Sequence, residues 1–113
     1  MLVLSNPTDS IELKLSGAVA ATELPWTAHW VDVLTIDQSV SSIGKTDGTS
    51  SGATAVTMVP GPGAGHTRTV KSLSVFNADS TGAIATVRLN NGTTTRIFVQ
   101  PTLATGDTLE YTE

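Results

Sequence analysis

The sequence predicts an all-β chain: a single β-sandwich of seven to eight short antiparallel strands, of which a jelly roll is one variant. Three observations predict it. Apolar residues recur with period two in short runs rich in β-branched residues. Turn-forming clusters separate these runs at intervals of roughly 8–12 residues, the spacing of sandwiches and barrels. No segment carries a convincing helical period; the best candidate, Gly17 to Leu24, is small and is stopped by Pro25.

The elements follow in chain order. Met1 to Leu4 is apolar and broken by Asn6-Pro7, so residues 1–8 read as a short N-terminal arm with little core of its own to join. Ile11, Leu13 and Leu15 share one face of a first strand. Thr27 to Ile36 is the most strand-like long run, with Trp30, Leu34 and Ile36 on one face and His29, Val31 and Val33 on the other. A strand apolar on both faces is central or meets another subunit. Residues 38–53, rich in Ser, Gly, Thr and Asp, read as a long exposed loop with at most a short strand over Val40 to Ile43. Ala53 to Val59 resumes strand character, and Pro60 to Gly65 is irregular. Arg68 to Asn77 is a strand with Leu73, Val75 and Asn77 on one face. Asp79 to Gly82 is a turn. Ala83 to Asn90 and Thr93 to Gln100 form a hairpin across Asn91-Gly92, the pair favoured in a two-residue type I′ turn. Thr108 to Thr112 closes the set with Leu109 and Tyr111 inward.

Composition narrows function more than it names it. The 113 residues make one domain and can bury roughly two-thirds of their unfolded surface. Thr (19) and Ser (11) dominate the polar set, and six cations against ten anions give a net charge of −4, the wrong sign for a nucleic-acid footprint. No apolar run approaches the ~20 residues of a membrane-spanning helix. The start lacks a positive region and a long apolar stretch, so synthesis in the cytoplasm without a targeting signal is expected. With no cysteine there is no disulfide framework, thiolate site or thiol nucleophile.

Individual motifs point the same way. Pro60 to His66 lacks the Gly-Lys-Ser/Thr close and the following helix of a phosphate-cradling loop. His29 and His66 lack metal-ligand spacing, and the scattered aspartates lack a calcium-loop pattern and suit turns instead. No Gly-x-Ser-x-Gly elbow marks a nucleophile, and Asn91-Gly92-Thr93 is a formal glycosylation sequon that serves as a turn. No cofactor, no metal and no enzymatic activity are expected. Trp30 is expected in the core and Trp26 at the sandwich edge, where it is a candidate protein contact.

The full-length pattern resembles a widespread group of short virion proteins of tailed bacteriophages. The resemblance is carried by Leu2 to Asp9 followed by Ile11-Glu12-Leu13, by Ala28-His29-Trp30-Val31-Asp32 with its Thr/Gly-rich continuation, and by Thr67 to Asn77 leading to a hairpin. It is carried last by the close Leu103-Ala104-Thr105-Gly106-Asp107-Thr108-Leu109-Glu110-Tyr111, similar to an "LAxGExLEY" ending. The resemblance implies a minor capsid protein of the virion that decorates or cements the icosahedral head by binding the major capsid protein as a homotrimer, with no nucleic-acid or membrane partner. Head-fibre, tail and baseplate adaptor components are similar in size and form the alternative; a carbohydrate-binding module and a small hydrolase are weaker ones, since five aromatics supply a sugar platform poorly and no polar constellation stands out. Candidate contact residues are Leu2, Val3 and Leu4 of the arm, Trp26, the outward pair Val31 and Val33, and the stretch from Ser41 to Ser51.

Overall fold

Where the sequence alternates, the chain extends. The computed structural model describes residues 1–113 and contains ten strands and no helix. They are β1 (Leu2–Leu4), β2 (Ser10–Leu15), β3 (Pro25–Leu34), β4 (Val40–Thr49), β5 (Val56–Val59), β6 (His66–Phe76), β7 (Ala83–Asn90), β8 (Thr95–Val99), β9 (Thr102–Leu103) and β10 (Thr108–Thr112). All pairs are antiparallel and form two five-stranded sheets packed as a β-sandwich; the strand order gives no jelly-roll assignment. One sheet runs β1-β6-β3-β4 with β10 beside β1 on the same edge of β6. The other runs β5-β2-β7-β8 with β9 beside β8 on β7.

The core lies between the inner faces. Ile11, Leu13 and Leu15 of β2 and Ala85 and Val87 of β7 meet Trp26, Ala28 and Trp30 of β3 and Val70, Leu73 and Val75 of β6. The alternation expected for β2, β3, β6 and β7 therefore holds, with Asn77 fully buried at the end of the β6 face. Asn77 is satisfied there: its Nδ2 donates to the carbonyls of Thr81 and Leu103.

Four expectations are corrected. Residues 38–53 are not a long exposed loop: Val40–Thr49 is a ten-residue strand, β4, paired along β3. Its inner face is Ser42, Gly44, Thr46 and Gly48, with no apolar side chain, and the indoles of β3 occupy the space over the two glycines. A Cβ on Gly44 would lie 2.5 Å from Trp30, and one on Gly48 would lie 2.9 Å from Trp26. The apolar half of β4 is thus supplied by another strand, which is why periodicity misses it. Residues 1–8 are not a free arm. β6 is eleven residues long and β10 covers only Ser72 to Phe76, so the edge over Arg68 to Val70 accepts β1, and Leu4 is fully buried in the chain's own core. The hairpin at Asn91-Gly92 is not a two-residue type I′ turn. Asn90 pairs with Thr95, so four residues form the loop; Gly92 has positive φ (+94°), while Asn91 does not. Asn91 instead accepts hydrogen bonds at Oδ1 from the amides of Thr93 (3.0 Å) and Thr94 (2.8 Å). Finally β3 ends at Leu34, and Ile36 sits in the turn to β4.

Polar anchors fix the loops at both ends. Arg68 and Asp32, both inward, form a bidentate pair (Nε–Oδ1 2.7 Å, Nη2–Oδ2 2.9 Å), and the guanidinium lies 4.5 Å over the Trp30 ring. Its Nη1 also donates to the carbonyl of Pro60. At the other end the Asp79 carboxylate accepts from the amides of Ala20, Ala21 and Thr22, tying residues 57–59 positions apart.

Candidate functional site

The outer face of the β1/β10-β6-β3-β4 sheet is set by register. Odd-numbered residues of β3 point away from the core, so each pairing across the sheet places a row of outward side chains. Val31 lies opposite Ile43 of β4 and Thr69 of β6, and Thr69 lies opposite Val3 of β1. Val3, Thr69, Val31 and Ile43 are therefore one row spanning four strands. The next row holds Thr67, Val33 and Val40. Beyond them Ile36 projects from the β3–β4 turn, 89% exposed, with Ile43 79% and Val40 64% exposed. Bulges at Asp32/Val33 in the β3–β4 pair and at His29/Trp30 in the β3–β6 pair keep these rows in phase with the inner face.

Toward the other end of β3 the same face turns polar. His29 lies opposite Lys45 and Ser72, and its Nδ1 is 3.2 Å from the Ser72 hydroxyl. Thr27 lies opposite Asp47 and Ser74, with hydroxyls 2.8 Å apart. One end of this sheet is thus aliphatic and the other hydroxyl-rich and charged.

A second apolar surface lies along the open side of the sandwich, where β1 and β10 of one sheet face β8 of the other. Phe98, displaced by a bulge in β8, stands edge-on to Tyr111 with ring centroids 5.7 Å apart. A crevice of about 240 Å³ lies on one side of Phe98, lined by Leu73, Val87, Leu109 and Tyr111 with Glu110 at its rim. A crevice of about 300 Å³ lies on the other, lined by Leu2, Leu4, Ile11 and Ile97 with Arg96 at its rim. Ile97 is 61% and Met1 84% exposed beside them. A third hollow, on the outer face of β2 and β7, is polar and holds its own bonds: Gln100 Nε2 donates to Thr86 and Arg88 pairs with Glu12 at 2.9 Å.

The sequence candidates divide by face. Val3, Val31 and Val33 come together on the outer aliphatic rows. Leu4 faces inward and is core. Leu2 also faces inward, half-buried against the core, and its amide donates to the Tyr111 hydroxyl at 3.0 Å. Trp26 is buried like Trp30, so neither indole is a surface contact; Trp26 Nε1 has no hydrogen-bond partner, and its ring packs in the core with an edge over Gly48. The candidate stretch from Ser41 to Ser51 contains Ile43, but sequence reasoning reads it as a loop and does not assign Val40 or Ile43 to an outward strand face, because a strand with no inward apolar residues gives no phase; Ile36, expected on the Trp30 face, instead sits exposed in the β3–β4 turn. It also missed Ile97 and Phe98, because the bulge in β8 that sets Phe98 out of the ladder, and the edge position of β8, come from pairing with β7.

Electrostatics at these surfaces is sparse. Ion pairs involve Arg68–Asp32, Lys71–Glu113 and Arg88–Glu12, leaving Lys45 and Asp47 on β4 and Arg96 and Glu110 on the open side without partners of opposite charge. The Arg68 hydrogen bond holds the Asp32 carboxyl below its ordinary value against the opposing effect of burial. Asp79 is held well below it, first by the Ala20 amide. His29 and His66 lie apart, and no group of three or more His, Cys, Asp or Glu side chains converges on a metal-sized space. No known protein family, characterised protein or solved structure matches this chain.

Proposed function

We propose that this chain is a non-enzymatic structural protein of a tailed-phage virion, decorating and cementing the icosahedral head as a homotrimer bound to the major capsid protein. The observation that carries it is the aliphatic end of the outer sheet face, where Ile36, Val40 and Ile43 stand exposed beside Val3, Val31 and Val33. A contiguous exposed apolar surface marks a place where another protein sits. Thr-rich strands with few charges make a rigid surface of the kind that adds to a protein lattice. The net charge of −4 favours the shell's protein over the packaged nucleic acid as partner. A protein of this kind binds the assembled lattice and not its dissociated parts, so it stabilises the shell by mass action.

Sedimentation velocity with and without empty mature capsids of the same source tests the proposal. The expected result is a compact trimer that pellets with shells at a saturable stoichiometry, and loss of that binding in Val33→Asp. A trimer that ignores shells transfers the assignment to a head fibre, tail or baseplate part. A monomer that ignores them ends the virion assignment.

A further inference from the structure

The polar hollow on the outer face of β2 and β7 holds donors that the chain itself does not use. It encloses about 390 Å³. Lys14 and Ser16 line it from the β2 side, Thr86 and Arg88 from β7, and Thr95 and Gln100 from the β8 side. No carboxylate lines it. The neighbouring acid, Glu12, is fully engaged: its Oε1 accepts from Arg88 Nε at 2.9 Å and its Oε2 from Asn90 Nδ2 at 3.2 Å. That bond fixes the guanidinium, 22% exposed at its side chain, and leaves Nη1 and Nη2 without a partner in the chain. Lys14, half-buried and opposite Thr86, takes part in none of the ion pairs. Thr86 is 8% exposed; its hydroxyl accepts from Gln100 Nε2 at 2.7 Å, and its own proton has no acceptor in the chain. A buried donor facing an open space without a protein acceptor is completed by something that enters that space. The imbalance has one sign: in a chain of net charge −4, two of the six cations line this hollow and no anion does.

We propose that this hollow binds a small hydroxylated oxyanion, a carboxylate or phosphate group carried on a sugar or polyol frame. The charge follows from the donors. A guanidinium held through Nε presents its two Nη groups as a fork, which fits two oxygens of a carboxylate or phosphate, and Lys14 adds a second cation across the hollow. The frame follows from the size and the remaining lining. A bare ion would leave most of the space empty, whereas the volume lies in the range of small-molecule sites. The hydroxyls of Ser16, Thr86 and Thr95 and the Gln100 amide match hydroxyl groups on such a frame, and Ile97, 61% exposed, offers an aliphatic wall to its carbon face. Attraction here comes from charge and hydrogen bonds, so it needs no aromatic platform. None of the outer aliphatic rows takes part, so the inference stands apart from the virion role.

Amide NMR titration of the whole chain with glucuronate, glucose phosphate and glucose, at physiological salt, tests it. At least one of the two anions should shift the amides of residues 14–16, 86–88 and 95–100 saturably, while glucose should leave them in place. The anion that binds more tightly tells which oxyanion, carboxylate or phosphate, the hollow takes. Lys14→Met should weaken that binding about tenfold, the worth of one charge-assisted hydrogen bond at a partly exposed site. Thr86→Val keeps the shape of the side chain and removes only its hydroxyl, so it should weaken binding too, which a threonine that merely packs would not do. Lys14→Gln and Thr86→Ala, read the same way, replace a variant whose circular dichroism shows it unfolded. If neither anion shifts those amides, if the shifts never saturate, if glucose shifts them as strongly as the anions, or if either variant binds like the wild type, the inference is overturned.

Discussion

Gly44→Ala probes the arrangement that makes β4 a strand. A Cβ there would sit 2.5 Å from Cε2 and Nε1 of Trp30 and 2.6 Å from its Cζ2, distances no real Cβ contact shows. The ring cannot turn aside freely, because it is 7% exposed and lies under the Arg68 guanidinium at 4.5 Å. Either β4 lifts from the indole or the Arg68 stack is lost. Overpacking of this kind costs about 1–3 kcal/mol. The restricted unfolded chain returns about 0.4–1 kcal/mol. The net loss is about 1.3 kcal/mol, and at roughly 4 °C per kcal/mol for a domain of this length the midpoint falls by about 5 °C. Gly48→Ala, with its nearest ring atom at 2.9 Å and the next at 3.2 Å, should lose less, and Gly17→Ala, with open space around it, should lose nothing. Thermal denaturation followed by circular dichroism ranks the three. Adding Trp30→Leu to Gly44→Ala should shrink the alanine's own cost, since the obstructing ring is gone. A Gly44→Ala midpoint equal to or above that of Gly17→Ala would refute the account of β4 as a strand roofed by indoles.

Two further outcomes follow from the buried charges. Arg68→Met leaves the inward Asp32 carboxylate without its bidentate partner and should destabilise by about 3–5 kcal/mol in urea unfolding, while Arg68→Met with Asp32→Leu should recover most of it; a double variant no better than the single one means the pair is not an energetic unit. Asp79 and Asp32 both have folded pKa values below the ordinary 3.8, so between the two values the unfolded chain binds more protons and stability rises with pH. Their contribution is complete above about pH 4 and is lost as pH falls below it. Midpoints measured downward from neutral pH should drop steeply in that acid range, and Asp79→Asn should start lower at neutral pH and drop less; an unchanged acid slope in Asp79→Asn means that the amides of residues 20–22 do not hold its charge.

The strands that could be read from the sequence are those whose own residues carry both the inward and the outward alternation. β2, β6 and β7 are of this kind: Ile11, Leu13 and Leu15, or Ala85 and Val87, declare their face without reference to any other strand. Val31 and Val33 could likewise be assigned outward by their phase against Trp30, and the structure places them on the outer rows with Val3. The outward residues of β4 could not, because that strand's inner face is polar or bare, Ser42 and Thr46 alternating with Gly44 and Gly48, and the glycines lie beneath rings contributed from residues 30 and 26. A short apolar start looked unattached because its docking edge, the uncovered stretch of β6 over Arg68 to Val70, lies more than sixty residues along the chain.

The sequence alone determined the all-β class, the face of each alternating strand, and the absence of thiol chemistry, since composition and period are local properties of a chain. The tertiary structure decided which strand becomes an edge and which buried polar groups find partners. It set Asp32 against Arg68, 36 residues away, and Asp79 against the amides of residues 20–22. It also decided that Leu4 and Trp26 are core while Ile43 and Ile97 face outward. Those outcomes depend on which strands lie side by side, and pairing between distant segments is fixed by the whole set of contacts at once rather than by any one run of residues.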